Sequence, residues 1–308
     1  MYICGAFTTY SPSSHGGGAA GSCRCVAKGG GDMSQGTVIG IIGGQGWMGR
    51  ALGLALLEQG VVSAGQLVIS SRTGSSNAYR DWPGVRCTED NRELAELADV
   101  IVLSVRPQDL AGVDIEVGDK LVVSLLAMAS LQEVAGQVGS RRVVRAMPNA
   151  AAEIRRAYFP WFASPQVSAA DKRLVQALLE SCGRARELPS ERDLDYLTAL
   201  SGAGPAYPAL LAQSMLEHAR QMGIADDIAL EAVMQTLVGG SLLLEKLGAD
   251  PGDMVERLIA YDGTTAKGLT AMMEEGIGQA ISRGLEAAHW VAMGPSRSGQ
   301  SSNRESLE

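Results

Sequence analysis

The sequence is poor in the residues that build metal centres and disulfide frameworks. Among its 308 residues there are only five cysteines and three histidines. The cysteines are odd in number and scattered, a pattern that indicates reduced thiols in a cytoplasm. Cys23 and Cys25 lie close together, but neither a second pair nor a nearby histidine completes a set of zinc ligands. We therefore expect a cytoplasmic protein without a metal site.

Long apolar runs and strong basic clusters are also scarce. No stretch reaches the about 18 consecutive apolar residues that a membrane span requires. The formal net charge of -8, from 26 basic and 34 acidic side chains, argues against a nucleic-acid partner. We interpret the local clusters Arg141–Arg142, Arg145 and Arg155–Arg156 as serving an anionic small molecule or a solvated edge. These features predict a soluble protein that binds neither membrane nor nucleic acid.

The two ends of the chain lack hydrophobic periodicity. The N-terminal segment from Ser11 to Gly36 is rich in glycine and serine, and the C-terminal residues are polar. Such composition cannot bury a core, so we expect residues 1–36 to be a disordered leader and residues 294–308 a disordered tail.

The most informative segment is an apolar strand that breaks into glycines and continues as a helix. It runs from Thr37 to Gly49, and a helix is predicted over Arg50 to Gln59. In such a turn Gly44 permits a tight bend, Gly46 lets the backbone approach a pyrophosphate, and Gly49 allows close helix packing. We predict a dinucleotide site here; the alternative is a glycine turn without a ligand. The candidate cofactor contacts of this turn are Gly44, Gln45, Gly46, Trp47 and Met48.

The end of the next strand indicates which dinucleotide is bound. Leu67 to Ser71 is short and rich in β-formers, and Ser71, Arg72 and Thr73 follow where NAD-binding sites place a carboxylate. A guanidinium here can pair with a 2'-phosphate, while the hydroxyls donate to its other oxygens. We therefore predict NADPH rather than NADH, with Ser71 and Arg72 as contacts. The alternative is that Arg72 is a solvated surface charge.

Further apolar strands follow, alternating with helices. We predict strands over 100–105, 121–126 and 142–147, with a helix over 93–98. Strands that are apolar throughout indicate a parallel sheet covered on both faces, with ligands at the carboxyl ends. That rule adds two strand ends to the crevice, and the alternative for Pro148–Asn149 is an ordinary turn. The added candidates are Val105, Arg106, Pro107, Met147, Pro148 and Asn149.

From Asp193 onward the pattern changes to amphipathic helices. They are predicted over Ala206–Met222, Asp227–Leu247, Asp253–Ile259 and Thr265–Val291. A small helical domain with so many apolar faces buries some of them against another subunit, so we expect an oligomer. The fold class is therefore α/β: a doubly wound parallel sheet over residues 37–190, followed by an all-helical dimerisation and substrate domain over residues 191–293.

Five segments, in this order and spacing, resemble pyrroline-5-carboxylate reductase. They are Gly44–Gly49, Val105–Gln108, Arg145–Asn149, Leu197–Tyr207 and Gly263–Thr265. The resemblance covers roughly residues 37–293. It implies a Rossmann domain, an intertwined homodimer that often assembles into a decamer, and the NADPH-dependent reduction of a cyclic imine, 1-pyrroline-5-carboxylate, to L-proline.

The resemblance also implies roles in the helical half. Thr265 is the candidate hydroxyl near the ring nitrogen, and the N–H groups of Gly263 and Thr264 hold the substrate carboxylate. Ser201 is a second catalytic candidate. A helix N-cap is the alternative role for both Thr265 and Ser201. We interpret His218 and His289 as surface helix residues. The candidate substrate contacts are Ala260, Tyr261, Asp262, Gly263, Thr264 and Asn149.

Two departures from the family concern the substrate. Where the family reads Ser-Pro-Gly-Gly-Thr-Thr, this chain reads Ala260 to Thr265, and Asp262 would repel an anionic substrate if it faced the pocket. Met128 replaces a family glycine, whereas Arg106 keeps the charge of a family lysine. Two alternative functions therefore stay open: a diverged reductase of the same fold acting on another imine, for example in secondary metabolism, and a non-catalytic NADP-binding sensor or scaffold.

Overall fold

The computed structural model describes residues 36–74, 76–248 and 250–294. The predicted leader and tail lie almost wholly outside the described residues. Within these residues, one sheet has the strand order β3-β2-β1-β4-β5-β6-β7-β8. Its strands are β1 Ile39–Ile42, β2 Leu67–Ser70, β3 Arg86–Thr88, β4 Val100–Leu103, β5 Leu121–Ser124, β6 Val143–Ala146, β7 Ala157–Ala163 and β8 Gly183–Glu187.

Helices cover the sheet and then form the second half of the chain. The first four connect strands, α5 continues into a π-helical turn over Thr198–Gly202, and the rest have no intervening strand. The helices are α1 Trp47–Glu58, α2 Asn91–Leu97, α3 Leu131–Val138, α4 Ala169–Glu180, α5 Glu191–Leu197, α6 Ala206–Gln221, α7 Asp226–Leu247, α8 Pro251–Ala260, α9 Thr264–Glu274 and α10 Ile277–Ala292.

The core consists of two apolar layers, one on each face of the sheet. Because side chains alternate along a strand, Ile41 of β1 joins the layer under α1 and α4, whereas Ile42 joins the layer under α2 and α3. Every pairing among strands β1 to β6 is parallel. The predicted fold class is confirmed: a Rossmann-like parallel sheet covered on both faces, followed by helices.

The far edge of the sheet carries two strands, β7 and β8, that the sequence analysis did not predict. Strand β7 pairs antiparallel to β6, and β8 then pairs parallel to β7. Between β6 and β7 the chain contains only a short 3₁₀ turn, Ala150–Ile154. A parallel pairing would need a crossover of a dozen or more residues, so the short connection forces the strand to reverse.

The predicted helix over Thr265–Val291 is wrong, because it is two helices. Helix α9 ends at Glu274 and α10 begins at Ile277. Gly276 between them has φ +83°, the left-handed conformation that ends many helices and that glycine adopts at no steric cost. The break redirects the chain before its last helix.

Helices α6 to α10 leave many large apolar side chains exposed in the single chain. Leu210 is 64% exposed, Leu242 48% and Leu247 58%. By length and composition alone, helix α7 is apolar enough to cross a membrane. In the single chain, 11% of its apolar 18-residue stretch is buried. Its residues Met234, Val238 and Leu242 follow one another every four positions, so they form one apolar face.

Candidate active site

The glycine turn lies between β1 and α1 and is held by the neighbouring strand. The N–H groups of Gly43 and Gly44 both donate to the carbonyl of Ser70, at 3.1 and 3.0 Å. Gly46 is the N-cap of α1, and no side chain caps it in the part of the chain that the structure describes. The first N–H groups of α1 therefore lack a side-chain acceptor, which is the condition for binding an anion there.

Two of the three motif glycines are required by packing. A Cβ on Gly44 would lie 2.6 Å from a carbon of Ile69, and one on Gly49 would lie 2.5 Å from the carbonyl oxygen of Gly43. At Gly46 the nearest atom would be 3.1 Å away, and this residue lines an open cleft. The turn therefore fits a pyrophosphate, because Gly46 has no side chain that would cover the backbone on the cleft side.

A cleft of about 720 Å³ opens at the carboxyl ends of β1, β2 and β4. Its size suits a small-molecule cofactor. Three of the predicted segments meet here, because the ends of neighbouring parallel strands share one edge of the sheet. The predicted residues lining it are Gln45, Gly46, Ser71, Arg72, Val105 and Arg106.

Other predicted cofactor residues lie outside that lining. Gly44 is buried under the turn, and Trp47 points outward with 57% of its surface exposed. Pro107 is half-buried between the lining residues Arg106 and Gln108, and Met48 is half-buried in the first turn of α1. Met147 and Pro148 are buried after β6, which is separated from β1 by β4 and β5. The cleft thus brings together the predicted ends of β1, β2 and β4, whereas the end of β6 does not line it.

Three polar residues in the cleft were missed by the sequence reasoning. Glu89 and Asn91 follow β3, and Asn91 Oδ1 accepts the hydroxyl of Ser70 at 2.6 Å. Asp109 follows β4 and accepts two hydrogen bonds from Arg106, at 2.7 and 3.0 Å. These residues carry no motif of their own, and only the rule that polar residues after parallel strands share an edge could have found them.

The charges in the cleft influence one another. The hydrogen bond from Arg106 lowers the pKa of Asp109, and the nearby guanidinium of Arg72 lowers it further. Asp109 is therefore ionised at neutral pH, and it holds the side chain of Arg106 by a two-point contact. The cleft presents two guanidinium groups, of Arg72 and Arg106, and two carboxylates, of Glu89 and Asp109.

Arg145 joins the sheet to the helical half. It is 1% exposed and donates from Nη1 to Glu191 at 2.5 Å and from both terminal nitrogens to Asp195 at 3.3 Å. Glu191 also accepts the N–H of Leu131 at the start of α3. The interpretation of Arg145 as an anion-binding or edge residue is wrong, because its charge is neutralised inside the protein.

Asn149 and Ser201 connect the same two parts through main-chain atoms. Asn149 Nδ2 donates to the carbonyl of Ser201 at 2.8 Å, while Asn149 Oδ1 accepts from the N–H of Ala151. The Ser201 hydroxyl donates to the carbonyl of Leu197, inside the π-helical turn. Ser201 is thus not a helix N-cap, and π-helical turns are frequent at functional sites.

The predicted substrate loop lies between α8 and α9. Ala260 ends α8, and Tyr261 is 85% exposed. Asp262 has φ +51°, a conformation that aspartate tolerates better than most residues, and its carboxylate lies 3.1 Å from Lys267 Nζ. The carboxylate is therefore exposed and partnered by a cation instead of being an isolated charge.

The start of α9 carries the remaining substrate candidates. Gly263 is its N-cap without a side-chain hydrogen bond in the described structure, and Thr264 and Thr265 are the first two helical residues. Thr265 is exposed and is not the N-cap, which removes that alternative. The loop over 260–265 is not part of the cleft lining.

One of the two described histidines differs from the prediction. His218 is exposed on α6, as predicted. His289 is instead half-buried, and its ring packs against that of Tyr196 in a T-shaped contact with a centroid distance of 5.6 Å. Its Nδ1 has no hydrogen-bond partner among the described residues. No group of three His, Cys, Asp or Glu side chains in the described ranges could hold a metal ion.

Comparison with known proteins identifies both halves. Residues 191–293 match the family described as pyrroline-5-carboxylate reductase dimerisation, and residues 38–128 match the family described as NADP oxidoreductase, coenzyme F420-dependent. The exposed apolar helices α6 to α10 lie within the first match. The helical half therefore forms contacts between subunits, and its apolar surface does not indicate a membrane protein.

Individual relatives agree over most of the chain. Pyrroline-5-carboxylate reductase of Pseudomonas aeruginosa is 34% identical over 65% of this chain and 78% of the relative. Pyrroline-5-carboxylate reductase 2 of Bacillus subtilis is 29% identical over 79% and 90%. The structure of pyrroline-5-carboxylate reductase from Coxiella burnetii aligns with a TM-score of 0.74 and 26% identity, covering 82% of this chain and 96% of that one. The chain belongs to the pyrroline-5-carboxylate reductase family.

Proposed function

We propose that this chain reduces 1-pyrroline-5-carboxylate to L-proline with NADPH. The observation that carries the proposal is the uncapped glycine turn at the start of α1, which shares a cleft with Arg72 in a chain that is 34% identical to a pyrroline-5-carboxylate reductase. The turn suits a pyrophosphate and the guanidinium suits a 2'-phosphate. Together they favour NADPH.

Different parts of the cleft would hold different parts of the cofactor. The N–H groups at the start of α1 would bind the pyrophosphate, next to Gln45 and Gly46. Ser71 and Arg72 would bind the 2'-phosphate, the arginine with two donors. Arg106 is held in place by Asp109 and lies beyond β4. When bound, the nicotinamide supplies the hydride for the C=N bond.

The helical half would hold the imine. The N–H groups of Gly263 and Thr264 would donate hydrogen bonds to the substrate carboxylate at the start of α9, and the Thr265 hydroxyl would face the ring nitrogen. A cyclic imine of this type is largely protonated near neutral pH, so the protein needs no strong general acid. Its main task is to hold the imine carbon within about 3.5 Å of the hydride donor.

The assembly and the location of the protein complete the proposal. We infer that the apolar faces of α6 to α10 form a homodimer, and that these dimers assemble further into a decamer. The scattered cysteines fit a reducing cytoplasm. Burial raises the pKa of the Cys182 thiol to about 11, so that thiol stays protonated and unreactive at neutral pH.

A second candidate reaction is favoured by the loop that differs from the family. Tyr261 and Asp262 place a ring and a carboxylate where relatives have proline and glycine, and Met128 replaces another family glycine in a left-handed conformation, φ +64°. Side chains of this size can reshape a substrate pocket. The second candidate is therefore the reduction of a different imine by the same cofactor.

One assay separates the candidates. The purified full chain is mixed with NADPH and either 1-pyrroline-5-carboxylate or a panel of cyclic and exocyclic imines without the carboxylate, and NADPH oxidation is followed by absorbance. Turnover with the carboxylate, with proline as the product, supports the first proposal. Turnover only with the other imines supports the second. Binding of NADPH without turnover on any imine would contradict both and indicate a sensor or scaffold.

A further inference from the structure

Tyr79 is a buried titratable side chain that the proposed reaction does not use. It is 1% exposed, and its hydroxyl donates to the carbonyl of Gly44 at 2.9 Å. The carbonyl of Gly49 lies at 3.4 Å from the same oxygen. These two glycines begin and end the phosphate-binding turn. The hydroxyl therefore contacts that turn from the side opposite to the cleft.

Helix α1 leaves space for the ring of Tyr79 at Gly53. A Cβ on Gly53 would lie 2.3 Å from the Tyr79 hydroxyl and 3.0 Å from its ring carbons. A glycine in the interior of a helix costs about 0.5–1 kcal/mol relative to alanine. Gly53 therefore leaves room for this ring at the expense of helix stability. Burial raises the pKa of Tyr79, so its hydroxyl remains a neutral donor across the physiological range.

The hydrogen bond to Gly44 determines where the next N–H points. A peptide group is planar, and in its trans form the carbonyl and the following N–H point in opposite directions. The described backbone has no cis peptide bond. Since Tyr79 holds the carbonyl of Gly44 on the protein side, the N–H of Gln45 is directed to the opposite side, where Gln45 lines the cleft.

Tyr79 also belongs to the segment that follows Arg72. It ends the 3₁₀ turn Asn77–Tyr79, a few residues after the strand end that reads the 2'-phosphate in the proposed function. One side chain thus joins the segment carrying Arg72 to the glycine turn. The two anionic groups of NADPH would be bound by these two parts.

We propose that Tyr79 is a positioning residue for NADPH, which orients the Gly44–Gln45 peptide for the pyrophosphate and couples it to the segment of Arg72. The inference rests on the proposed binding of NADPH. It assigns no chemical step to Tyr79. Loss of the hydroxyl should therefore weaken cofactor binding without slowing the reaction of the saturated enzyme.

The test compares Tyr79→Phe with the wild type by direct titration of NADPH fluorescence and by steady-state kinetics. We expect the Kd and KM for NADPH to rise about threefold to tenfold, the effect of losing one hydrogen bond. The kcat at saturating NADPH should stay within twofold. The control is Tyr158→Phe, which removes the same hydroxyl from β7, and which should leave the Kd unchanged.

A second substitution acts on the same contact from the other side. Gly53→Ala should also raise the Kd, because its Cβ would displace the Tyr79 hydroxyl. In a double-mutant cycle, Gly53→Ala should have a smaller effect when combined with Tyr79→Phe, since the closest clash is then absent.

The outcomes separate the inference from the proposed function. An unchanged Kd in Tyr79→Phe, or equal falls of kcat in both tyrosine variants, would overturn the positioning role while the wild type still binds NADPH. A wild-type protein that does not bind NADPH would overturn the proposed function and the inference with it.

Discussion

Arg72 is the residue at which we propose that this chain distinguishes between two cofactors. It is exposed at the rim of the cleft, and its charge is felt by Asp109 across that rim. A guanidinium can bind a 2'-phosphate with two parallel hydrogen bonds, whereas the 2'-hydroxyl of NADH offers no charge. The preference for NADPH should therefore depend on this one side chain.

Replacing Arg72 by alanine should remove that preference. We expect the KM for NADPH to rise at least about tenfold, because charge-assisted bidentate contacts contribute more than neutral hydrogen bonds. The KM for NADH should change by less than twofold. Initial rates with both cofactors measure this. The control is Arg173→Ala, which removes an exposed arginine from α4. An equal ratio of the KM for NADPH to the KM for NADH in wild type and Arg72→Ala would refute the assignment.

Thr265 is expected to act on the reaction and not on the cofactor. The hydroxyl lies at the exposed start of α9, outside the lining of the cofactor cleft. Thr265→Ala should lower kcat about tenfold to a hundredfold, the range for loss of a positioned proton donor. The Kd for NADPH should stay constant, which fluorescence titration measures. Thr270→Ala on the same helix is the control. Weaker cofactor binding with unchanged kcat would contradict this role.

At the scale of elements, the ion pairs of Arg145 attach the helical half to the sheet together with the contact between Asn149 and Ser201. Strand β6, helix α5 and the start of α3 all meet at this guanidinium through Glu191 and Asp195. Its Nε has no hydrogen-bond partner in the described ranges. A buried ion pair is weak evidence for net stability, but removing one partner leaves buried charges uncompensated.

Arg145→Met should therefore destabilise the protein strongly. We expect a loss of about 3–5 kcal/mol in the free energy of unfolding, since Asp195 would remain buried without its cation. Urea denaturation followed by circular dichroism measures it, at a fixed protein concentration because oligomer stability depends on concentration. Arg141→Met, on the exposed end of the same segment, should change it by less than about 0.5 kcal/mol. Equal midpoints for the two variants would show that the junction does not depend on this pair.

At the scale of the whole molecule, the single chain leaves an apolar helix face exposed to water. The exposed apolar face of α7, with Met234, Val238 and Leu242, lies inside the span that matches a dimerisation family. A face of this kind is stable in water only when it is covered. A second copy of the chain covers it in the proposed dimer, and the substrate loop belongs to the same helical half.

A charge in that face should separate the subunits. Leu242→Glu should convert the oligomer to monomers at micromolar concentration and reduce turnover, because burying an unpaired carboxylate is costly. Size-exclusion chromatography with light scattering gives the mass. Gln59→Glu adds the same charge at the end of α1 and should change neither mass nor activity. An unchanged mass for Leu242→Glu would exclude this face from the interface.

The local sequence pattern was enough to predict elements that are formed by consecutive residues. Strands β1 and β4 are apolar throughout, and β5 and β6 are apolar except for Ser124 and Arg145, so all four could be predicted as buried parallel strands. The exposed edge strand β8 could not, because its sequence Gly-Arg-Ala-Arg-Glu has no hydrophobic pattern. The glycine turn and Arg72 were recognisable because a strand, a tight turn and a helix start follow one another without interruption.

Tertiary structure alone decided which side chains are partners. Tyr79 contacts Gly44 across 35 positions, Arg145 contacts Asp195 across 50, and Asn149 contacts Ser201 across 52. No periodicity encodes such pairs, because they depend on how elements pack and on which polar groups need partners once buried. The sequence by itself therefore determined the fold class and the cofactor preference. Only the tertiary structure showed that Arg145 is buried against Glu191 and Asp195 and that Tyr79 donates a hydrogen bond to the glycine turn, because burial and pairing are properties of the packed chain.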